Sequence, residues 1–338
     1  MHPALSVIFF TVISGAGYGL LCLLGIGLVA DPRVLPRNEA LLCLALGAAA
    51  AAAGLTSSLF HLGQPQRAWR ALSQWRSSWL SREGVSALAS FVPVCALAVM
   101  LLVQAEPLYI RLAALVLAAL AVSTVYCTAQ IYASLKTIRA WHNSYVTPGY
   151  ILLGLLCGAA WLLGVHSLFA RSLDTMLELR ADLGAIVNHL MMQTALGLLV
   201  ALLALISMVL KILYWRFLAT ARAVATIESA TGLGRFGRVR SAEPPHTEEN
   251  YLTREMGFKL ARKHAAPLRK IAGLLIGMLP ALIAPLLLWP PVAMTISFAS
   301  ICSFAIAISV TAGCFIERWL FFAEAKHVVT LYYGAASA

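Results

Sequence analysis

Long apolar stretches alternate with short polar connections along nearly the whole chain. Eight stretches are long enough to span a bilayer, for which about 20 residues suffice. Residues that break helices mark the connections between them, as at Asp31-Pro32 and Glu106-Pro107. The pattern predicts an all-α polytopic membrane protein, an eight-helix transmembrane bundle forming a single integral membrane domain. The predicted spans are approximately 5–29, 40–60, 84–104, 112–134, 149–170, 184–215, 272–289 and 292–316.

The composition agrees with a chain that lies mostly in lipid. Of its 338 residues, 61% are hydrophobic and 12% are charged, and the mean hydropathy is +0.83. Soluble domains are about 45–50% apolar and about 25% charged. All seven cysteines fall in apolar stretches and none forms a CxxC pair, so the sequence predicts no zinc or iron–sulfur ligand set. If the protein takes part in redox chemistry, we expect the metal carriers to belong to other chains.

The distribution of basic residues predicts the orientation in the membrane. A net charge of +11 alone would also suit a nucleic-acid partner, but here the charge is concentrated on connections of one parity. The second, fourth and sixth connections and the C-terminal tail hold most of the 25 Lys and Arg residues. Cytoplasmic connections are the ones enriched in Lys and Arg, so both termini and the 61–83 connection are predicted to be cytoplasmic, in the inner membrane. The first, third and fifth connections hold only Arg33, Arg37, Arg111, Arg171 and Arg180.

The connection from His61 to Glu83 combines residues that suit proton-coupled chemistry on a lipid-soluble ligand. It has one histidine at its start, four arginines, three tryptophans and one carboxylate at its end. A neutral imidazole can hydrogen-bond a quinone oxygen and exchange a proton near neutral pH, and a carboxylate can relay that proton to water. We therefore predict a quinone site at His61 and Glu83, with Arg67 orienting Glu83 or a docked partner. The alternative is structural: His61 caps a helix, and Glu83 pairs with Arg82 or Arg67.

A second polar cluster lies on the same predicted side, around the connection between the fourth and fifth spans. Tyr132 lies inside the fourth span, where polar side chains usually face the interior of a bundle. Trp141 follows in the connection itself. Both are candidates to line the quinone pocket, and an interfacial aromatic belt is the alternative for Trp141.

Histidines near the other ends of the spans raise the possibility of haem. A b-type haem needs axial ligands on facing helices. His166 lies near the end of the fifth span and His189 near the start of the sixth. The sequence does not show that any two histidines lie at the same depth in the membrane on facing helices. We expect no haem.

The sixth connection, 216–271, is the largest segment outside the predicted spans, and we call it the insertion loop. It contains TGLGRFGRVR at 231–240, whose basic residues Arg235, Arg238 and Arg240 are candidates for docking a soluble partner. Its glycines also spell GxGxxG, but a dinucleotide-binding loop requires a preceding strand, and here a membrane helix precedes it. A basic loop lying on anionic headgroups is the other alternative.

Three motifs in order along the chain resemble one known family. HLGxPxRAxxxL at 61–72 followed by LSxE at 80–83, IYASLKTIRAWHNSYVTPGY at 131–150, and GCFIERWLFF at 313–322 resemble the membrane-anchor subunits of dimethyl sulfoxide reductase-type molybdoenzymes. The resemblance covers nearly the whole chain.

This resemblance implies a fold and a role. The family fold is an eight-helix bundle that anchors a molybdopterin catalytic subunit and a four-cluster, ferredoxin-like iron–sulfur subunit, and exchanges electrons with ubiquinone or menaquinone. The anchor itself carries no haem, iron–sulfur cluster or molybdenum. The functional histidine and carboxylate of the family fall on His61 and Glu83.

The insertion loop distinguishes this chain from the shorter dimethyl sulfoxide reductase anchors. With TGLGRFG and EPPHTEENYLTREMGF, it resembles the anchors of cytoplasmic sulfite:quinone oxidoreductases. The cytoplasmic placement of the His61–Glu83 connection agrees with that interpretation. We therefore expect electrons from cytoplasmic sulfite oxidation to pass to the quinone pool. Two alternatives are a respiratory reductase anchor that oxidises menaquinol, and a membrane transporter, for which a broken helix matching the Pro280–Pro285 segment is missing from the first half.

Overall fold

The computed structural model describes residues 4–60, 62–169, 183–220, 225–240, 242–243, 260–287, 296–333 and 335. Within these ranges, the side chains of 183–186, 260–263 and 296–297 are not described. His61, most of the fifth connection and much of the insertion loop therefore lie outside the described residues.

Long helices follow the apolar stretches, and eight of those described are long and apolar enough to cross a membrane. The prediction of an all-α, eight-helix membrane protein is confirmed. A 3₁₀-helix, Pro65–Gln74, lies in the second connection, and the short helix α7, Ile227–Thr231, lies in the insertion loop. The long helices are α1 Leu5–Ala30, α2 Arg37–Leu59, α3 Trp79–Leu102, α4 Pro107–Ala133, α5 Val146–Phe169, α6 Leu183–Thr220, α8 Leu260–Gly273 continued by α9 Leu279–Leu286, and α10 Ile296–Ala323.

Helix α1 is the centre of the bundle and packs against α2, α4 and α5. Its contact with α5 is a backbone contact: a Cβ added at Gly19 would lie 1.8 Å from the carbonyl oxygen of Gly154, and one at Gly158 would lie 2.2 Å from the carbonyl carbon of Gly19. In a bilayer, association of helices depends on close packing and hydrogen bonds, so small residues at crossings let backbones approach. These glycines fix how α1 and α5 cross.

Helix α3 begins at Trp79, where the sequence predicted a span starting at 84. The reason is local: the side chain of Ser78 accepts a hydrogen bond from the backbone N–H of Ser81 and caps the helix. Glu83 therefore lies in the second turn of α3 rather than at the end of the connection that precedes it. The buried face of α3, which carries Glu83, Ser86 and Ser90, packs against α4.

The seventh span is interrupted. Between α8 and α9 the chain makes a π-helical turn, Leu274–Met278, and the N–H of Leu279 bonds the carbonyl of Leu274. Pro280 follows directly and cannot donate a backbone hydrogen bond. Such π-turns widen a helix locally and are frequent at functional sites.

Candidate functional site

A cavity of about 700 Å³ lies between α1, α2, α3 and α4, beneath the 3₁₀-helix of the second connection. We call it the Glu83 cavity. Its walls are mostly apolar, and its polar side chains are few, which is typical of sites for small organic ligands. Arg67, Glu83 and Tyr132, three of the predicted site residues, line it together. Among the described residues, the other polar side chains on its wall are Thr56, Ser58 and Gln64.

Glu83 is the buried acid of this cavity, with only 4% of its surface exposed. One carboxylate oxygen accepts a hydrogen bond from the hydroxyl of Thr128 on α4. One turn further from the cavity, Thr124 on α4 donates to Ser86 on α3 at 3.0 Å. Two hydrogen bonds between side chains, and a third from the Ser86 hydroxyl to the carbonyl of Leu120 at 3.3 Å, thus join α3 and α4; the bond from Thr128 fixes the position of the carboxylate.

The arginines near Glu83 do not neutralise it. Among the described residues Glu83 has no ion pair, so the structural alternative of pairing with Arg82 or Arg67 is not what the structure shows. Arg82 instead donates to the carbonyls of Trp75 and Arg76, at 3.0 and 2.7 Å, and lies over the ring of Trp79. Arg67 is exposed and lies at the connection side of the cavity.

Tyr132 forms the inner wall of the cavity and is held by other aromatic rings. It stacks on Tyr150 at 5.8 Å between centroids and meets the rings of Trp141 and Phe322 edge-on at 5.2 and 5.4 Å. The indole N–H of Trp141 donates to the carbonyl of Phe321 at 2.9 Å. Trp141 therefore lies behind Tyr132 and supports it, one layer away from the residues that line the cavity.

His61, the first residue of the predicted site, lies outside the described residues. Its sequence neighbour Leu62 is described and lines the Glu83 cavity, together with Gly63 and Gln64. The role of His61 therefore stays a prediction.

Comparison with known proteins assigns nearly the whole chain to one family. The family model of the DMSO reductase anchor subunit matches residues 1–334. The chain belongs to the DMSO reductase anchor subunit family. It is also similar to the C subunit of the sulfite dehydrogenase of Allochromatium vinosum, with 31% identity over 359 aligned residues that cover 100% of both chains. The resemblance drawn from the three motifs is thereby confirmed, and the protein is a multi-pass membrane anchor.

In this anchor a second charged cluster is buried between α6 and α10. Lys211 on α6 donates to one carboxylate oxygen of Glu317 on α10, and the Arg318 guanidinium lies 3.2 Å from the other. Arg318 also lies over the ring of Tyr150, 3.6 Å from its centroid. Glu317 and Arg318 belong to the GCFIERWLFF motif at 313–322, but Lys211 was missed. A lysine inside the apolar run LISMVLKILYW was the available signal, since ionised side chains inside spans are costly.

A second buried pair lies toward the other end of the bundle. His166 Nδ1 lies 2.7 Å from a carboxylate oxygen of Glu39, and both side chains are almost fully buried. The ring of His189 stacks on that of His166 with centroids 4.0 Å apart. That spacing leaves no room for a porphyrin between the two rings, so these histidines cannot serve as the two axial ligands of one haem in this arrangement. Sequence reasoning did not connect Glu39 with them.

The described part of the insertion loop is compact and exposed. Thr226 and Ser229 cap α7 reciprocally, and Gly232, with φ of 70°, ends it. A helix therefore precedes the GxGxxG glycines, where a dinucleotide-binding loop needs a strand. Arg235, Arg238 and Arg240 are all exposed.

Glu228 connects α7 to the later part of the described loop. Its carboxylate accepts from the backbone N–H of Val239 at 3.2 Å. Hydrogen bonds from its own backbone N–H, from the Thr226 side chain and from Val239 lower the pKa of Glu228, so it stays ionised near neutral pH. Phe236, which is exposed over 74% of its surface, lies under Arg235 at 4.6 Å. An exposed aromatic ring among arginines is typical of a binding surface.

Proposed function

We propose that this anchor is the quinone-reactive subunit of a three-subunit oxidoreductase, and that the Glu83 cavity binds the quinone ring. The main support for this proposal is the cavity itself. It is mostly apolar and large enough for a quinone ring, and it is lined by the buried carboxylate of Glu83, by Tyr132 and, at the connection side, by Arg67. A quinone needs apolar walls for its ring and tail and a few polar groups for its two oxygens. Reduction also consumes two protons, which a protein group must supply.

Each residue of the proposed site has a separate role in binding the quinone or transferring its protons. His61, predicted at the cavity beside Leu62, hydrogen-bonds one quinone oxygen and exchanges a proton with it. Glu83 relays protons between the cavity and the cytoplasm, and Thr128 holds its carboxylate in place. Tyr132 packs against the ring, with Trp141 behind it. Arg67, exposed at the connection side of the cavity, orients the docked partner.

Electrons reach the quinone from partner subunits. A molybdopterin catalytic subunit oxidises sulfite in the cytoplasm, and a four-cluster, ferredoxin-like iron–sulfur subunit passes the electrons to the Glu83 cavity. The similarity to the C subunit of a sulfite dehydrogenase supports this direction. The excess of basic residues on the connections of the same side supports a cytoplasmic position for the cavity mouth, for both termini and for the docked subunits. In a respiratory reductase the same cavity would oxidise menaquinol instead.

Two substitutions test the site in the assembled complex. For His61→Ala and Glu83→Gln we expect quinone-linked sulfite oxidation to fall by about 100-fold or more, which is the usual contribution of a positioned acid or base. Oxidation of sulfite by an artificial dye, which takes electrons from the soluble subunits, should persist. Glu106→Gln removes an exposed carboxylate just before α4 and serves as the matched control.

The two assays separate the possible outcomes. Equal loss of dye-linked and quinone-linked activity would assign His61 and Glu83 a structural role in assembly. Full quinone-linked activity in both variants would show that the quinone binds somewhere other than the Glu83 cavity.

A further inference from the structure

A second cavity, of about 450 Å³, lies on a different side of the bundle, between α6 and the interrupted span formed by α8 and α9. We call it the Trp215 groove. Most of its wall is apolar and includes Met208, Ile212, Leu274 and Met278. The π-helical turn Leu274–Met278 forms part of this wall, so the widened turn and the groove coincide. The proposed function makes no use of this groove.

Cations are concentrated at one end of the groove. Lys211, Arg269 and Lys270 all line it, together with Trp215. The cations of Lys211 and Arg269 lie 5.6 and 6.0 Å from the centre of the Trp215 ring. Tryptophan prefers the depth of the headgroups in a bilayer.

The cations of the groove are only partly neutralised. Lys211 donates to Glu317, and Arg269 Nη2 donates to Glu324 at 2.6 Å. Lys270 is exposed and has no ion pair among the described residues. The Nε atom of Arg269 is buried and has no hydrogen-bond partner within the described part of the chain. A buried donor without a partner is costly, so Arg269, whose side chain is 26% exposed, keeps unused hydrogen-bonding capacity beside the groove.

The length of α6 places this cationic end near the membrane surface. The apolar part of the helix, Val187–Thr220, has 34 residues, whereas about 20 cross the hydrocarbon core. With the excess shared between the two ends, the C-terminal turns from Trp215 onward lie at or near headgroup depth, Lys211 lies just below them, and the apolar wall of the groove lies deeper.

We propose that the Trp215 groove is a binding site for an anionic phospholipid. The phosphate is held by Lys270 and by the part-exposed side chain of Arg269, and an acyl chain lies along the apolar wall past the π-turn. A phospholipid is the ligand that combines a phosphate at headgroup depth with a long chain below it. A bound lipid here would also cover the interrupted span, whose π-turn and Pro280 weaken its helical hydrogen bonding.

Native mass spectrometry of the full-length chain in mild detergent tests the proposal. Dioleoyl-phosphatidylglycerol and dioleoyl-phosphatidylcholine are added in equal amounts, and the lipid retained on the protein is counted. We expect wild type to prefer phosphatidylglycerol. Lys270→Gln should weaken its retention about fivefold, since each basic side chain near the surface contributes about 1 kcal/mol of attraction. Lys136→Gln removes another exposed lysine on a connection of the same parity and should change nothing.

A second variant tests the apolar wall independently of charge. Gly273 lines the groove, and a Cβ added there meets no atom within 4 Å, so Gly273→Leu fills the groove without a backbone clash. This variant should lose phosphatidylglycerol while Lys270 remains present.

Four results would overturn the proposal. The first is equal retention of the two lipids by wild type. The second is an equal loss for Lys136→Gln and Lys270→Gln. The third is displacement of the lipid by glycerol phosphate, which has no acyl chain and would indicate a site for free phosphate. The fourth is retention of quinone instead of lipid in the groove.

Discussion

Glu83 and Glu317 are both buried carboxylates, but their surroundings assign them different tasks. Glu83 lines a cavity and is held by one hydroxyl, without an ion pair among the described residues. Glu317 lies between Lys211 and Arg318. A carboxylate without a fixed counter-charge can gain and lose a proton during turnover, whereas one between two cations is held ionised. We therefore propose that Glu83 transfers protons and that Glu317 stabilises the bundle.

Glu317→Gln should destabilise the protein more than Lys211→Met. Removing Glu317 leaves two buried cations without their shared partner, and breaking a buried pair in this way costs about 3–5 kcal/mol. Removing Lys211 leaves the Arg318–Glu317 pair intact and should cost less than half of that. Thermal unfolding in detergent measures the difference, with a thiol-reactive fluorophore that detects the buried cysteines, such as Cys43 and Cys157, as they become exposed. Equal losses for the two variants would contradict the shared-partner arrangement.

At the scale of single residues, the sequence predicted correctly which polar residues near the ends of the spans would line a common cavity. Glu83, Arg67 and Tyr132 were chosen from polarity and position, and the structure brings them to one cavity. The sequence could not show that Thr128 holds Glu83, because the contact joins residues 45 positions apart on facing helices. The position of Trp141 behind Tyr132 depends in the same way on how α10 packs against α5 and the connection that precedes it.

At the scale of the helices, apolar length predicted the number of spans, while local chemistry determined their ends. Helix α3 starts at Trp79 because Ser78 caps it, a hydrogen bond that a hydropathy pattern does not report. The π-turn in the seventh span likewise has no hydropathy signal, although Pro280 and Pro285 indicated a break. Element ends, and with them the depth of Glu83, therefore required the structure.

Gly19→Ala should disrupt the crossing of α1 and α5. The added methyl group would lie 1.8 Å from the carbonyl oxygen of Gly154, a backbone atom that cannot move aside without shifting a helix. Overpacking of this kind costs about 1–3 kcal/mol or more. Gly15→Ala, about one turn earlier on α1, is the matched control, since its Cβ meets nothing within 4 Å.

The measurement for this pair is the yield of monodisperse protein and its unfolding temperature in detergent. We expect Gly15→Ala to match wild type and Gly19→Ala to unfold at lower temperature. If the two variants behave alike, the close approach of the helices at Gly19 is not what holds the bundle.

At the scale of the whole molecule, the two ends of the bundle differ in charge and in chemistry. The Glu83 cavity, the Lys211–Glu317–Arg318 cluster and the insertion loop all lie toward the end where basic residues are concentrated. The Glu39–His166 pair lies toward the other end. Under the proposed function, partner subunits deliver electrons to the Glu83 cavity and must lie close to it, because electron transfer requires short distances. We therefore expect them to dock on the basic end, and the exposed arginines of the insertion loop to contact them.

The triple variant of Arg235, Arg238 and Arg240 to Ser should weaken this docking. When the tagged wild-type chain is purified from its native membrane, we expect a molybdopterin protein and a ferredoxin-like iron–sulfur protein to accompany it. The variant should lose both from the purified sample, first at high salt, because exposed charge pairs are screened. Changing Arg33, Arg37 and Arg111 to Ser removes the same charge from the opposite end, and these residues are also exposed. If this control loses the partners while the loop variant keeps them, the subunits dock on the other side, and the predicted cytoplasmic orientation is wrong as well.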